Sequence, residues 1–413
     1  SNKPSADAWM INLWKRANPY FFFGEAFYMD PDYATSTYIS EQDGFIDYNS
    51  GYFEDHNPGS NERFLVEFVE DNDDQDRIPD WGRNDALSVD RAVFPGWDEN
   101  NDFIPDFNQN DNGSVINLIP DYEEPFLRQH VDRPEFLYGI DANNNGWVDR
   151  FENDNQPDFP YKRDREGFNI YGGANITPEI RLTVGHTRED RITSNQRNNA
   201  TYGLVTVDAD HPTWGRLKVL EVLKSVKDNI PDDLLQWDSR NTLRDSRNIE
   251  VLDPLLARDT FVNQFFAGHQ INTERVLLES KINHVIFHQR MSRVERRRFG
   301  LKPNEFFTGV VNKVLYRYEL GRVDLQPFWK SEYRKQSRGL FEVEEIQTLT
   351  ELFGGFAILD VLSSTQLQLG TEFLFQKGFG DQDNFNSQSI AGQVTNWSSY
   401  QGYVITMQSG ILV

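Results

Sequence analysis

The stretch Arg322-Val323-Asp324-Leu325-Gln326-Pro327-Phe328-Trp329-Lys330-Ser331-Glu332-Tyr333-Arg334 decides the fold. Val323, Leu325, Trp329 and Tyr333 fall on one side of an extended chain. Arg322, Asp324, Gln326, Lys330, Glu332 and Arg334 fall on the other. Successive side chains of a strand point to opposite faces, so alternation over a dozen residues predicts a strand and not a helix.

The same period recurs through the second part of the chain. Ile180, Leu182 and Val184 alternate with Arg181, Thr183 and Gly185. Val276, Leu278, Ile282 and Ile286 alternate with Arg275, Glu279, Lys281 and Asn283. Val314, Tyr316, Tyr318 and Leu320 alternate with Lys313, Arg317 and Glu319. Leu367, Leu369, Phe373 and Phe375 alternate with Gln366, Gln368, Gly370 and Glu372. Several runs exceed the five or six residues usual for a globular strand, and about 9–11 tilted residues cross a bilayer. An apolar face with aromatic ends, opposite a face charged in both signs, fits lipid outside and a polar lumen. The expected fold class is therefore mainly β: an antiparallel transmembrane β-barrel with an acidic, loop-rich calcium-binding module. A soluble sandwich with one wet face gives the same alternation with the faces exchanged. The last residues, Tyr400–Val413, resemble the closing strand of bacterial outer-membrane barrels, apart from the terminal Val413.

Two segments depart from period two. Leu217, Leu220, Leu223 and Val226 lie at helical spacing, which predicts a helix over 215–230 stopped by Pro231, within an insertion at about 212–254 that suits a plug or lid. Residues 344–352 fit either helix or strand. Arg293, Arg296, Arg297 and Arg298 form a basic cluster expected in a solvated turn.

Charge divides the chain. Residues 1–164 hold 35 Asp and Glu against 12 Lys and Arg, whereas residues 165–413 hold 30 against 29. The acidic excess argues against nucleic acid as a partner. A self-repelling block of this kind is either disordered or neutralised by cations, and its aromatic density favours the latter. The expected organisation is residues 1–50 with strands such as 19–29, an acidic module over 51–164, and barrel strands over 165–413. A further strand is expected over 62–70.

Within the acidic module oxygen donors recur at alternate positions. Asn72, Asp74 and Asp76 precede Pro79-Asp80, and Asp98, Asn100 and Asp102 precede Pro105-Asp106. The third run, Asp141-x-Asn143-x-Asn145-Gly146-Trp147-x-Asp149-x-x-Glu152, fits the calcium-loop pattern in full. Calcium takes six to eight hard oxygen ligands. Alternate side chains of a curled loop converge on one centre, Gly146 permits the turn, the Trp147 carbonyl follows, and Glu152 can bind through both oxygens. Flanking helices are not evident, with Pro134 upstream and Pro157 downstream. These loops resemble thrombospondin type 3 repeats, in which consecutive acidic units wrap calcium ions with little other secondary structure. In the first two loops Arg77 and Phe103 replace the glycine.

Zero cysteines exclude disulfides, cysteine-ligated metals and a thiol nucleophile. No H-E-x-x-H, G-x-S-x-G, P-loop or dinucleotide motif is present, and His284 and His288 lack a third ligand nearby. Ser1-Asn2-Lys3 begins no signal-peptide pattern. The expectation is a non-enzymatic, porin-like or docking barrel of the bacterial outer membrane. Its partners would be outer-membrane lipid and proteins at the rim. The alternative is a secreted or cell-surface β-sandwich with calcium loops that binds polysaccharide or a surface partner.

Overall fold

The computed structural model describes residues 6–33, 37–40, 63–66, 122, 125–146, 148–149, 163–231, 233–238, 247–337, 345–362, 365–379, 389–390, 393–394 and 400–411. Thirteen long strands form one antiparallel sheet: β1 (Ala8–Ala17), β2 (Tyr20–Met29), β3 (Arg165–Asn175), β4 (Ile180–Arg191), β5 (Arg197–His211), β6 (Gly215–Asp228), β7 (Thr260–Asn272), β8 (Val276–Gln289), β9 (Asn304–Tyr316), β10 (Val323–Gln336), β11 (Ile346–Leu362), β12 (Thr365–Gly378) and β13 (Tyr400–Ile411). Each strand pairs with its neighbours in sequence, so the sheet is a continuous meander. Tyr318–Leu320 prolongs the β9 edge against β10. Among the described residues β1 pairs only with β2 and β13 only with β12, so the sheet is open along that seam.

Most connections alternate in length. On one end tight links join β1 to β2, β3 to β4, β5 to β6, β7 to β8 and β11 to β12. The left-handed Gly321 (φ 66°) lies in the link from β9 to β10, where any other residue would be strained. On the other end lie the long connections 30–164, 229–259, 290–303 and 379–399, together with the five-residue link 192–196 from β4 to β5.

The two faces separate sharply on β12. Glu372 is 2% exposed, whereas Phe373, the next residue, is 38% exposed. The same holds on β10, where Lys330, Glu332 and Arg334 are buried. Leu182, Val184, Leu223, Phe261, Phe353 and Leu369 all lie bare on the outer face. On β10 and β12 the charged side is thus the enclosed one, the reverse of a soluble sheet, while β6 to β9 turn both lysines and an apolar cluster of Val226, Val262, Phe287, Phe307 and Val311 inward. Outer polar groups are paired across strands. Glu351 accepts from Trp329 Nε1 and Ser331 Oγ, each at 2.7 Å, and Ser280 Oγ donates to Asn312 Oδ1 at 2.8 Å.

Residues 215–228, expected as a helix, are strand β6. Lys218, Leu220, Val222, Lys224, Val226 and Asp228 share the inner face at period two, and Leu217, Val219 and Leu223 share the outer. The Leu-Lys-Val-Leu-Glu-Val-Leu-Lys sequence carries both periods, and pairing with β5 and β7 decides between them. Within the expected insertion, Asp233–Asp238 pairs with Arg247–Leu252 as a short ribbon. Residues 346–362 resolve to strand. The arginine cluster is a short helix, α1 (Arg293–Arg298), started by a reciprocal cap between Ser292 and Glu295. Of the strand expected at 62–70, the described residues are Arg63–Val66, which pair with Thr37–Ser40 apart from the main sheet. Among the described residues no helix is long and apolar enough to cross a membrane.

Candidate functional site: an internal segment and its loop

Residues 125–149, from the acidic part of the chain, lie against the inner face of the sheet. Their side chains and carbonyls meet residues on every strand from β5 to β12, so the sheet curves around them. The near end is aromatic and ionic. The Phe126 ring lies 5.6 Å from that of Phe356 on β11. Phe126 N–H donates to Glu372 Oε2 at 2.8 Å, and Arg128 Nε lies 2.9 Å from Glu372 Oε1.

Asp132 is the centre of the contact. Its carboxylate lies 2.9 Å from Lys281 Nζ on β8, 2.9 Å from Lys313 Nζ on β9 and 2.8 Å from Lys330 Nζ on β10. Burial pushes this carboxyl up, but the three ammonium groups outweigh burial and hold it well below the usual carboxylate range. Lys330 also donates to the Arg128 and Val131 carbonyls at 2.7 and 2.8 Å, and Lys313 to the His130 carbonyl at 3.0 Å. Glu135 accepts from Arg334 Nη1 at 3.0 Å. Arg133 lies 3.3 Å from Glu332. These charges are buried yet paired, as buried charges must be.

The far end is packed and amide-bonded. Phe136 meets Phe307 edge-on at 5.4 Å, and Tyr138 stacks on Phe266 at 3.5 Å. Asn283 Nδ2 donates to the carbonyls of Glu135 at 2.9 Å and Leu137 at 3.1 Å.

The chain then enters the predicted calcium loop. Asp141 Oδ2 accepts the Gly146 N–H at 3.1 Å, while Asp141 Oδ1 is buried with no hydrogen-bond partner. Gly146 has φ 97°, a left-handed conformation suited to glycine at position six. Asn143 Oδ1 accepts from Asn145 N at 3.4 Å. The Asp149 side chain closes the loop by accepting the Ala142 N–H at 2.7 Å. Burial outweighs the nearby Lys224 and raises the Asp141 carboxyl above its ordinary range. The loop is pinned from behind: Lys224 Nζ donates to Asn144 Oδ1 at 2.6 Å and to the Asp141 carbonyl. Asn144 Nδ2 reaches Asn198 on β5 at 3.0 Å and Asp228 on β6 at 3.2 Å.

Asp141, Asn143, Asn145 and Asp149 are therefore brought onto one loop, with Asp141 Oδ1 buried and unpartnered among the described residues. Trp147 and Glu152 lie outside the described residues, as do Asn72, Asp74, Asp76, Asp80, Asp98, Asn100, Asp102 and Asp106. Among the described residues no three carboxylate or imidazole groups converge as a metal cluster. His284 and His288 face outward and bond Thr308 at 2.8 Å and Asn304 at 2.7 Å.

Sequence reasoning missed the docking residues Arg128, Asp132, Arg133 and Glu135. The signal was present. Between Pro125 and Leu137 two arginines balance two acids within an otherwise acidic stretch, opposite strands whose polar face carries Lys281, Lys313, Lys330 and Arg334. No protein-family model matches the chain, and no curated protein matches it at a significant level.

Proposed function

We propose that the chain forms the wall and internal plug of a bacterial outer-membrane β-barrel that serves passage or docking and not catalysis. The observation that carries this reading is the inversion of the sheet, seen where buried Glu372 adjoins bare Phe373. Water does not favour a broad bare face of Leu, Val and Phe outside an interior that holds buried charge, whereas hydrocarbon does. Tight links on one end and long connections on the other suit the same architecture. The seam between β1 and β13 would have to be closed, by these edges or by further strand, for the wall to stand in lipid.

The acidic module on this reading is folded by calcium. Asp141, Asn143, Asn145, the Trp147 carbonyl, Asp149 and Glu152 would hold one ion, and the two upstream runs would hold others. The ion supplies the positive charge that a loop with one orphaned carboxylate oxygen lacks. It would stiffen a segment that has little apolar core of its own.

The test is a variant in which Trp329, on the outer face of β10, is the only tryptophan. Reconstituted into vesicles of brominated phosphatidylcholine, its fluorescence is expected to be quenched. Unquenched emission, together with a monodisperse protein in detergent-free buffer, would instead establish the secreted, water-soluble alternative.

A further inference from the structure

The link from β8 to β9 carries α1, a helix of six residues that is fixed at both ends. Ser292 and Glu295 cap its start. At its end the left-handed Gly300 (φ 73°) turns the chain, and Leu301 N–H donates to the Arg296 carbonyl at 2.9 Å. Leu301 then packs on the inner apolar cluster. No residue of the helix itself is buried.

The helix reads Arg293-Val294-Glu295-Arg296-Arg297-Arg298. Its one acid is spent on the cap, where Glu295 Oε2 accepts the Ser292 N–H at 3.0 Å. Among the described residues none of the four arginines makes an ion pair, in a chain that holds 65 acids to 41 bases. Acids of the neighbouring segments are already engaged. Asp259 pairs with Arg290 at 2.8 Å, Glu345 pairs with Lys302, and Glu305 accepts from Lys302 N and Ser337 Oγ. Asp253 and Asp228 lie near Arg258, in the preceding long connection. Arg293, Arg296 and Arg297 share one helix face at i, i+3 and i+4, where like charges repel, so the cluster costs stability until an anion meets it.

The helix stands where the bare outer face ends. Phe261, the second residue of β7 and 40% exposed, pairs with His288, the last but one of β8. Beside that pair Arg290 Nη1 donates to Ser225 Oγ at 2.6 Å, and α1 begins three residues later. Two apolar side chains lie bare among the arginines: Val294 is 79% exposed and Phe299 39% exposed. The Arg258 guanidinium lies 3.8 Å over the Phe299 ring. Apolar groups among guanidiniums suit the boundary between acyl chains and headgroups, whereas an acidic protein or a free anion would leave them in water.

We infer that α1 holds the phosphate headgroups of anionic lipid at this rim of the wall, with Arg293, Arg296, Arg297 and Arg298 on the phosphates and Val294 and Phe299 at the acyl boundary. The guanidinium fork matches phosphate oxygens two at a time. The inference rests on the barrel reading, because it needs a bilayer at that level.

Electron paramagnetic resonance of chain-labelled lipid tests it. The full chain is reconstituted in phosphatidylcholine vesicles that carry a trace of spin-labelled phosphatidylglycerol or of spin-labelled phosphatidylcholine. The immobilised fraction of each label measures lipid held at the protein. Phosphatidylglycerol is expected to be favoured about five-fold, the worth of one arginine beside an anionic surface. The preference should fall toward parity in about 1 M salt. Combining Arg293→Gln, Arg296→Gln, Arg297→Gln and Arg298→Gln should give parity at low salt. If that variant does not reconstitute, Arg293→Gln with Arg297→Gln should at least halve the preference. Parity in the parent, or a preference that the variants keep, with both labels immobilised, would overturn the inference and leave the barrel reading standing. Immobilisation of neither label would strike the barrel reading, and this inference with it.

Discussion

The Asp132 carboxylate sits 2.8 Å from the Lys330 ammonium, joining a residue of the acidic part of the chain to the middle of a late strand. Two further lysines share that carboxylate, so one acid holds three strands to the internal segment.

Asp132→Asn removes the one counter-charge that these three lysines share. Breaking a buried pair by deleting one partner costs about 3–5 kcal/mol. The variant is expected to release residues 125–149 before the sheet melts, seen as new protease cuts in this stretch at temperatures the parent survives. An unaltered cleavage pattern would show that the aromatic contacts alone hold it.

Acid should loosen the same contact late. A carboxylate held low in the folded chain stabilises docking at every pH above its unfolded value, about 3.9, and loses that contribution only as pH falls through the lower folded value. An acid titration followed by protease sensitivity should therefore leave the segment docked down to about pH 4 and release it below. Release near pH 6 would mean that another group governs docking.

Calcium should protect the loop through Asp141 and Glu152. At a hundred-fold excess of calcium over its dissociation constant the stabilisation is about 2.7 kcal/mol. The difference in melting temperature between calcium and chelator should be present in the parent and lost in Asp141→Ala and in Glu152→Ala. A difference retained by both would place the ion on the upstream acidic runs instead.

The outer face should reject charge where the inner face accepts it. Phe373→Arg is expected to cost roughly 2–4 kcal/mol of insertion into vesicles if the residue sits near mid-bilayer. Gln368→Arg, on the opposite face of the same strand, should insert nearly as the parent does. Equal insertion of both would remove the case for lipid on the outer side.

The strands were legible because their pattern is local. Val323, Leu325 and Trp329 against Lys330, Glu332 and Arg334 name both faces without knowledge of any partner. Residues 215–228 were misread for the same reason, since Leu217, Leu220, Leu223 and Val226 satisfy a helical period, and only pairing with β5 and β7 selects the other. A turn over Asp141–Gly146 was legible from spacing, and the structure adds the Gly146 N–H to Asp141 Oδ2 hydrogen bond and the left-handed Gly146. Its clasp by Lys224, Asn198 and Asp228 was not, because these residues lie 54 to 84 positions away from Asn144 or more than 80 from Asp141. Asp132 with its lysines was hidden likewise, since spacing within one segment does not disclose a partner nearly two hundred residues later.

Residues 125–149 also precede, in the chain, every strand that grips them. In chain order the internal segment comes first and β5 to β12 follow. The strands can therefore be laid one after another around a mandrel already present, and no finished ring has to be threaded. Moving this stretch behind β13 would keep every contact on paper and yet demand a different route of assembly.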